Sequence, residues 1–226
     1  MTKLNLVTVC TDEYPMDYPN KLHRQFQKLT RLNVSHYCIT DRPLELSHGI
    51  VPITPFKKSQ GWWNKINLYS NKMPPGKILY MDLDIVILKN FDTEILAMEK
   101  YDESMCCVTD ATTWMGETFS SSLMYFESGI HKQIFDRFVK FEDQLVGRKG
   151  GDQVWTGPQL PSIQYIDNDF PFLKKNLKFD LLEKYENTYI IPHLIDERIK
   201  LVDCGGRPKP HELDTVPYIY QNWRLV

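Results

Sequence analysis

Short apolar runs of strand length alternate along this chain with stretches whose apolar residues recur at helical spacing, and this alternation restricts the fold more than any other feature. Leu4 to Cys10 reads as a first strand, and Tyr18 to Leu32 as a helix carrying Leu22, Phe26 and Leu29 on one face. Ser35 to Thr40 is a second strand, closed by Asp41-Arg42-Pro43. Trp62 to Ser70 reads as a helix with Trp62, Ile66 and Tyr69 on one face, and Met73-Pro74-Pro75-Gly76 follows it as a stop signal. Lys77 to Met81 is a further strand, with strand candidates after it at Met105 to Thr109 and Ser121 to Phe126. Ser128 to Leu145 reads as a helix whose apolar stripe is Ile130, Ile134, Phe138 and Phe141. Beyond Gly150-Gly151 the pattern turns irregular and rich in proline and aromatic residues. Such alternation predicts an α/β domain with a mainly parallel sheet and functional residues at strand C-termini. The 226 residues are expected to form one domain.

Charge and cysteine usage remove several function classes. With 27 Lys and Arg against 29 Asp and Glu, the net charge is −2, and the basic footprint of a nucleic-acid binder is missing. No apolar run approaches the roughly 18–20 residues of a membrane span, so no transmembrane segment is expected. The N-terminal run is also too short for a signal peptide, and a cytoplasmic location is the expectation. Cys10, Cys38, Cys106 and Cys107 lie in apolar runs and Cys204 precedes two glycines, with no CxxC pair and no zinc spacing. Buried free thiols are the expected state.

The sharpest local signal is Lys77-Ile78-Leu79-Tyr80-Met81-Asp82-Leu83-Asp84-Ile85-Val86, two carboxylates two residues apart at the end of a buried strand. If the strand ran on regularly, both would point to one face. Two adjacent buried anions repel and are costly to desolvate unless a cation offsets them. A hard divalent cation, Mg²⁺ or Mn²⁺, prefers such oxygen donors. The other reading is a pair of solvated aspartates capping the next turn. Two further segments bear on the choice: Gly61-Trp62-Trp63-Asn64-Lys65-Ile66 and Asp203-Cys204-Gly205-Gly206-Arg207-Pro208-Lys209-Pro210-His211. Alone, Lys65 reads as a surface lysine, the glycine pair as a turn, and Arg207 and Lys209 as solvated charges.

Taken together, these segments and Gly151-Asp152-Gln153 resemble the GT-A glycosyltransferases, most of all the family-8-like retaining group of glycogenin and bacterial galactosyltransferases, over residues 4 to 211. The resemblance implies a single GT-A (Rossmann-like) domain with a mixed, mainly parallel central sheet flanked by helices. The nucleotide-binding part would cover about residues 1–110 and the acceptor part about 111–226. Asp82 and Asp84 match the two metal-binding carboxylates of the group, with Asp82 and Leu83 also at the nucleotide. Gly206, Lys209 and Pro210 match the closing HxxGxxKPW motif, whose metal-binding His falls on Asp203 and whose Trp falls on His211. The implied cofactor is Mn²⁺ or Mg²⁺ with Asp203 as third ligand; His211, or a site of two residues only, are the alternatives.

By the same resemblance Val9, Thr11 and Tyr14 hold the nucleotide, Lys65 a phosphate or the donor sugar, Asp110 the donor sugar, and Lys209 the diphosphate. Asp152 and Gln153 form the catalytic pair, Asp152 on sugar hydroxyls and Gln153 near the anomeric carbon. Ser120-Ser121-Ser122 replaces the group's usual Asn-Ser-Gly or Asn-Ala-Gly. Trp62, Trp63, Trp114 and Trp155 are open to sugar stacking or to core packing. His193 reads as a loop histidine, and the segment from Trp155 to Arg198 as the acceptor region. The implied function is metal-dependent transfer of a hexosyl group from a nucleotide-diphosphate donor, a UDP-sugar, to a carbohydrate or other hydroxyl acceptor, with retention. The alternatives are a non-catalytic nucleotide-sugar-binding protein of the same fold, and a HAD-like phosphohydrolase, whose DxD motif lies on the first strand.

Overall fold

The computed structural model describes residues 3–11, 14–101, 104–110, 119–147, 151–185 and 188–224. In chain order the strands and helices begin with β1 (Leu4–Val9), α1 (Asp17–Leu29), β2 (Val34–Ile39), β3 (Ile50–Ile53), a 3₁₀ helix (Gly61–Tyr69), β4 (Lys77–Met81) and β5 (Ile85–Ile87). Next come α2 (Asp92–Met98), β6 (Met105–Thr109), β7 (Phe119–Glu127), α3 (Lys132–Leu145), α4 (Gly151–Thr156) and β8 (Ile163–Tyr165). The chain continues with β9 (Lys174–Asn176), a π-helical turn (Leu177–Leu181), β10 (Glu183–Tyr185), β11 (Thr188–Ile190), β12 (Leu201–Asp203) and α5 (Pro217–Trp223).

Seven strands form the central sheet in the order β3-β2-β1-β4-β7-β6-β8. Only β7 runs antiparallel to its neighbours, β4 and β6; the remaining pairs are parallel. The mixed, mainly parallel sheet expected from the sequence is therefore present. Period-two alternation on β4 separates two cores. Leu79 and Met81 pack with Leu22 and Phe26 of α1 and Ile95 of α2, whereas Ile78 and Tyr80 pack with Trp63, Ile66 and Phe138. Helices cover both faces, which is why β1 and β4 read as nearly continuous apolar runs. Each such Leu or Phe contributes about 1.5–3 kcal/mol on burial. All five cysteines are buried and unpaired, as expected. Among the described residues no helix is long and apolar enough to cross a membrane.

Two helix readings need correction. The Gly61–Tyr69 helix is 3₁₀, so its buried faces repeat every three residues: Trp63, Ile66 and Tyr69 on one, Asn64, Asn67 and Ser70 beside it. Trp62, placed on the face of Ile66 and Tyr69 by a 3.6-residue period, is 55% exposed. A nine-residue 3₁₀ run is unusual, and side-chain amides hold it. Asn67 exchanges bonds with the backbone of Lys57, and Asn64 donates to Ser59 O, Gly61 O and Thr11 Oγ1. α3 begins at Lys132 rather than Ser128, and it buries Ile134, Phe138 and Leu145 while Phe141 stays exposed.

A buried histidine pair joins α1 to β2. His23 Nδ1 and His36 Nδ1 lie 3.0 Å apart and share one proton, and His36 Nε2 meets Thr8 Oγ1 at 3.2 Å. Burial, with a smaller contribution from His23, pushes His36 down to about 3. A lowered histidine favours the fold fully above its unfolded value near 6.5, and loses that contribution as pH falls from there toward about 3. The urea midpoint should therefore fall between pH 7 and pH 5, with a limiting slope of about 1.4 kcal/mol per pH unit for one proton. His36→Gln should flatten the dependence; an unchanged slope in that variant would contradict it.

Candidate active site

The DxD segment leaves the sheet at a turn. Asp82 N donates to Ser122 O at 2.8 Å, as a last rung toward β7, and Ile85 N bonds Asp82 O at 3.2 Å. β5 then joins a second sheet, antiparallel to β12 with Ile85 opposite Asp203, while β12 pairs in parallel with β9. Cys204 N bonds Asp84 O at 3.0 Å and ties the closing motif to the turn. Main-chain pairing thus brings two segments about 120 residues apart in sequence to one place.

The two carboxylates take different partners. Asp82 receives Lys65 Nζ at 2.9 Å and Tyr80 OH at 2.5 Å. Asp84, 3% exposed, receives Lys209 Nζ at 2.6 Å and Tyr14 OH at 3.0 Å, both on Oδ2. The regular-strand geometry considered for the pair gives way to two carboxylates with different partners. Asp203 takes Lys174 Nζ on Oδ2 at 2.7 Å and the Gly205 amide on Oδ1 at 2.8 Å. Each carboxylate has its own ammonium. Among the described residues no three His, Cys, Asp or Glu side chains form a group able to hold one ion.

These pairs set the local electrostatics. Burial pushes Asp82 above the usual carboxylate range; Lys65 opposes that rise and Asp84 adds to it. Burial alone would lower Lys65, but Asp82 and Asp152 outweigh it and hold the ammonium above its ordinary value. Burial works to raise Asp203, yet Lys174 and the hydrogen bonds from Lys174, Gly205 and Ser122 keep it below its ordinary value.

Two cavities meet at this cluster. The first, of 280 Å³, is lined by Val9, Thr11, Tyr14, Lys65, Asp82, Leu83, Asp84, Gly206 and Lys209 with Gly61, Trp62, Tyr80 and Gly205. The second, of 320 Å³, is lined by Asp110, Ser120, Ser121, Ser122, Asp152, Gln153 and Asp203, together with Gly151, Lys174, Asn176 and Phe179. Trp62, Lys65, Asp82 and Gly205 belong to both. Apart from the alternative ligand His211, every candidate residue named from the sequence for metal, nucleotide or catalysis therefore borders one of two adjoining cavities. His211, the alternative third ligand, borders neither and instead bonds Tyr18 OH. His193 is exposed outside both, and Arg207 is a solvated charge paired with Glu212. Thr11 is held by Asn64, and Tyr14 enters the site through its hydroxyl while its ring carries Lys209 Nζ at 4.8 Å. Gln153 Nε2 donates to Asp110 Oδ2 at 2.5 Å, which fixes the orientation of the amide.

Of the four tryptophans weighed, Trp63 and Trp155 form an aromatic core with Phe138, and Trp114 lies outside the described residues. Trp62 alone of the described three stands at the cavities. Gly151, at φ +64°, backs its indole so closely that a Cβ there would meet Nε1 at 2.6 Å. Gly151→Ala should therefore cost about 1–3 kcal/mol of stability and shift the indole emission. Unchanged unfolding and emission would remove the idea that this glycine seats Trp62. Sequence reasoning missed Lys174, Tyr80, Asn64 and Phe179. Lys174 gave no local signal, since a lysine in Phe172-Leu173-Lys174-Lys175-Asn176 reads as solvated and its partner lies 29 positions away. Phe179, 57% exposed on the π-helical turn, was visible only as an aromatic in an irregular segment.

No family model matches the sequence, and no curated protein matches it. Solved structures do resemble the fold. The galactosyltransferase LgtC, in complex with donor and acceptor sugar analogs, superposes with a TM-score of 0.66 at 12% identity, over 98% of this chain and 96% of that one. The glycosyltransferase GlyE of Streptococcus pneumoniae TIGR4 gives 0.69 at 11% identity, over 99% of this chain and 62% of its own. The bifunctional glycosyltransferase WbbM gives 0.61 at 9% identity, over 98% of this chain and 49% of its own. The fold is that of the GT-A glycosyltransferases. The phosphohydrolase alternative falls with it, because the DxD strand is preceded by β1, β2 and β3 of the same sheet.

Proposed function

We propose that this chain is a metal-dependent glycosyltransferase that moves a hexosyl group from a UDP-sugar to a hydroxyl acceptor with retention at the anomeric carbon. The observation that carries the reading is the pair of adjoining cavities: one bordered by the lysine–carboxylate cluster, the other by Asp110, Asp152 and Gln153, with Lys65 and Asp82 in the wall between. A diphosphate in the first cavity and its sugar in the second would set the bond to be broken beside that wall. The buried free thiols suit a reducing compartment such as the cytoplasm.

The donor set fits a hard divalent cation. Asp82 and Asp84 border the same cavity, and among the described residues the bonds to the Asp84 carboxylate fall on Oδ2. Two carboxylates completed by phosphate oxygens and water are the usual way Mg²⁺ is held. Asp82 and Asp84 would hold such an ion, which would supply Lewis-acid neutralisation of the departing diphosphate. The rest falls to side chains. Lys209 and Lys65 exchange their carboxylates for phosphate oxygens and stabilise charge as it develops on the leaving group. Asp152 accepts hydrogen bonds from sugar hydroxyls, and Gln153, oriented by Asp110, faces the reacting side of the sugar. Trp62, rigidly backed and exposed, offers a ring to the apolar face of a sugar.

The test is UDP release from a panel of UDP-hexoses in Mn²⁺, with the anomeric configuration of the product followed by NMR. Release that disappears in EDTA, with the donor configuration kept, is expected. Inversion would overturn the stereochemical part, and binding without turnover would leave a non-catalytic nucleotide-sugar binder. Trp62→Ala should raise the KM for the donor about tenfold, equivalent to losing one stacking contact of about 1–1.5 kcal/mol. An unchanged KM would place the indole outside the sugar's path.

A further inference from the structure

The carboxylate that resemblance offers as a third metal ligand is engaged on both oxygens. Asp203 Oδ2 takes the Lys174 ammonium at 2.7 Å, and Oδ1 takes the Gly205 amide at 2.8 Å. The pair is deep: the side chains of Lys174 and Asp203 are 6% and 7% exposed. Strand register builds it, since β9 runs parallel to β12 with Lys174 opposite Leu201 and Asn176 opposite Asp203. Lys174 and Asp203 are thus diagonal neighbours on one face of the small sheet. Ser122 Oγ accepts a second bond from the same ammonium at 3.0 Å. The two other lysine–carboxylate pairs differ, because Lys65 and Lys209 border the first cavity, whereas Lys174 and Asp203 border the second and not the first.

We propose that Lys174 is a resident cation standing in for a divalent ion's contact at this position. Asp203 is its counter-ion and not a metal ligand, and among the described residues the site offers a divalent ion Asp82 and Asp84. The inference rests on the metal-dependent reading above and narrows it. For Asp203 to coordinate an ion it must leave Lys174, and the ammonium would then sit buried, without its carboxylate, beside a dication. Desolvation and like-charge repulsion both oppose that arrangement. Lys65 and Lys209 face the cavity, and a diphosphate entering it can receive their ammonium groups and free Asp82 and Asp84.

The experiment is a Mn²⁺ titration read by the electron paramagnetic resonance of free Mn²⁺, in the presence of UDP. Four proteins are compared: the unmodified chain, Lys174→Met, the double variant Lys174→Met with Asp203→Asn, and Asp84→Asn. The double variant removes both charges together, avoids a lone buried ion and should fold. It is expected to bind Mn²⁺ as the unmodified chain does. Lys174→Met alone frees a carboxylate and should tighten Mn²⁺ about tenfold, whereas Asp84→Asn should lose at least the roughly 10–100-fold typical of supporting groups around a metal. A double variant as impaired as Asp84→Asn would make Asp203 a ligand and overturn the proposal, as would unchanged affinity in Lys174→Met. Equal Mn²⁺ binding by Asp84→Asn and the unmodified chain would instead remove the metal site itself, and this proposal with it.

Discussion

An Asp84→Asn variant is expected to lose Mn²⁺-supported UDP binding by about 100-fold or more while its urea unfolding stays close to that of the unmodified chain. The carboxylate is 3% exposed, and its two bonds, from Tyr14 OH and Lys209 Nζ, both land on Oδ2. An amide oxygen can still accept them, and Lys209, whose side chain is 21% exposed, can turn toward water, so the fold keeps its contacts. What disappears is the anionic charge that a dication needs. If the variant binds UDP in Mn²⁺ as before, the DxD pair is not a metal site and its structural role is to pair lysines.

A Lys209→Gln variant should retain binding but lose about 10²–10³ in kcat, the cost of removing one preorganised donor to a developing anion. The backbone around Lys209 does not depend on its ammonium. Its amide donates to Glu212 Oε2 at 2.7 Å and starts the short turn Pro210–Glu212. The substitution therefore tests charge rather than loop structure. Under the proposed function the uncharged amide would leave the departing diphosphate without a fixed cation at this position. A loss confined to KM, with kcat intact, would mean that Lys209 binds the ground state and transition state equally.

Much of the framework was legible because its causes are local. β4 and its terminal aspartates stand out as an apolar run ending in charge, and α1 carries its stripe at the expected spacing. The residues of the closing motif could be placed at the DxD turn only through resemblance. The physical agent, β12 pairing with β5, is a three-residue strand too short to leave a periodic signal. The 3₁₀ helix was misread for a different reason. Its period is set by Asn64 and Asn67, whose amides grip a preceding loop, and side-chain anchoring of this kind changes which tryptophan is buried without altering composition. Lys174 shows the limit most clearly. A lysine becomes a buried cation only when register across two strands delivers a carboxylate to it, and register is a property of the folded sheet.

On the proposed function, the cavity lined by Tyr14, Asp84 and Lys209 takes a nucleoside diphosphate joined to a divalent ion. Calorimetric titration of UDP into the protein, first with Mn²⁺ and then with EDTA, tests it most directly. Saturable binding in Mn²⁺ that collapses in EDTA is the predicted result. Absence of binding in both conditions would contradict it.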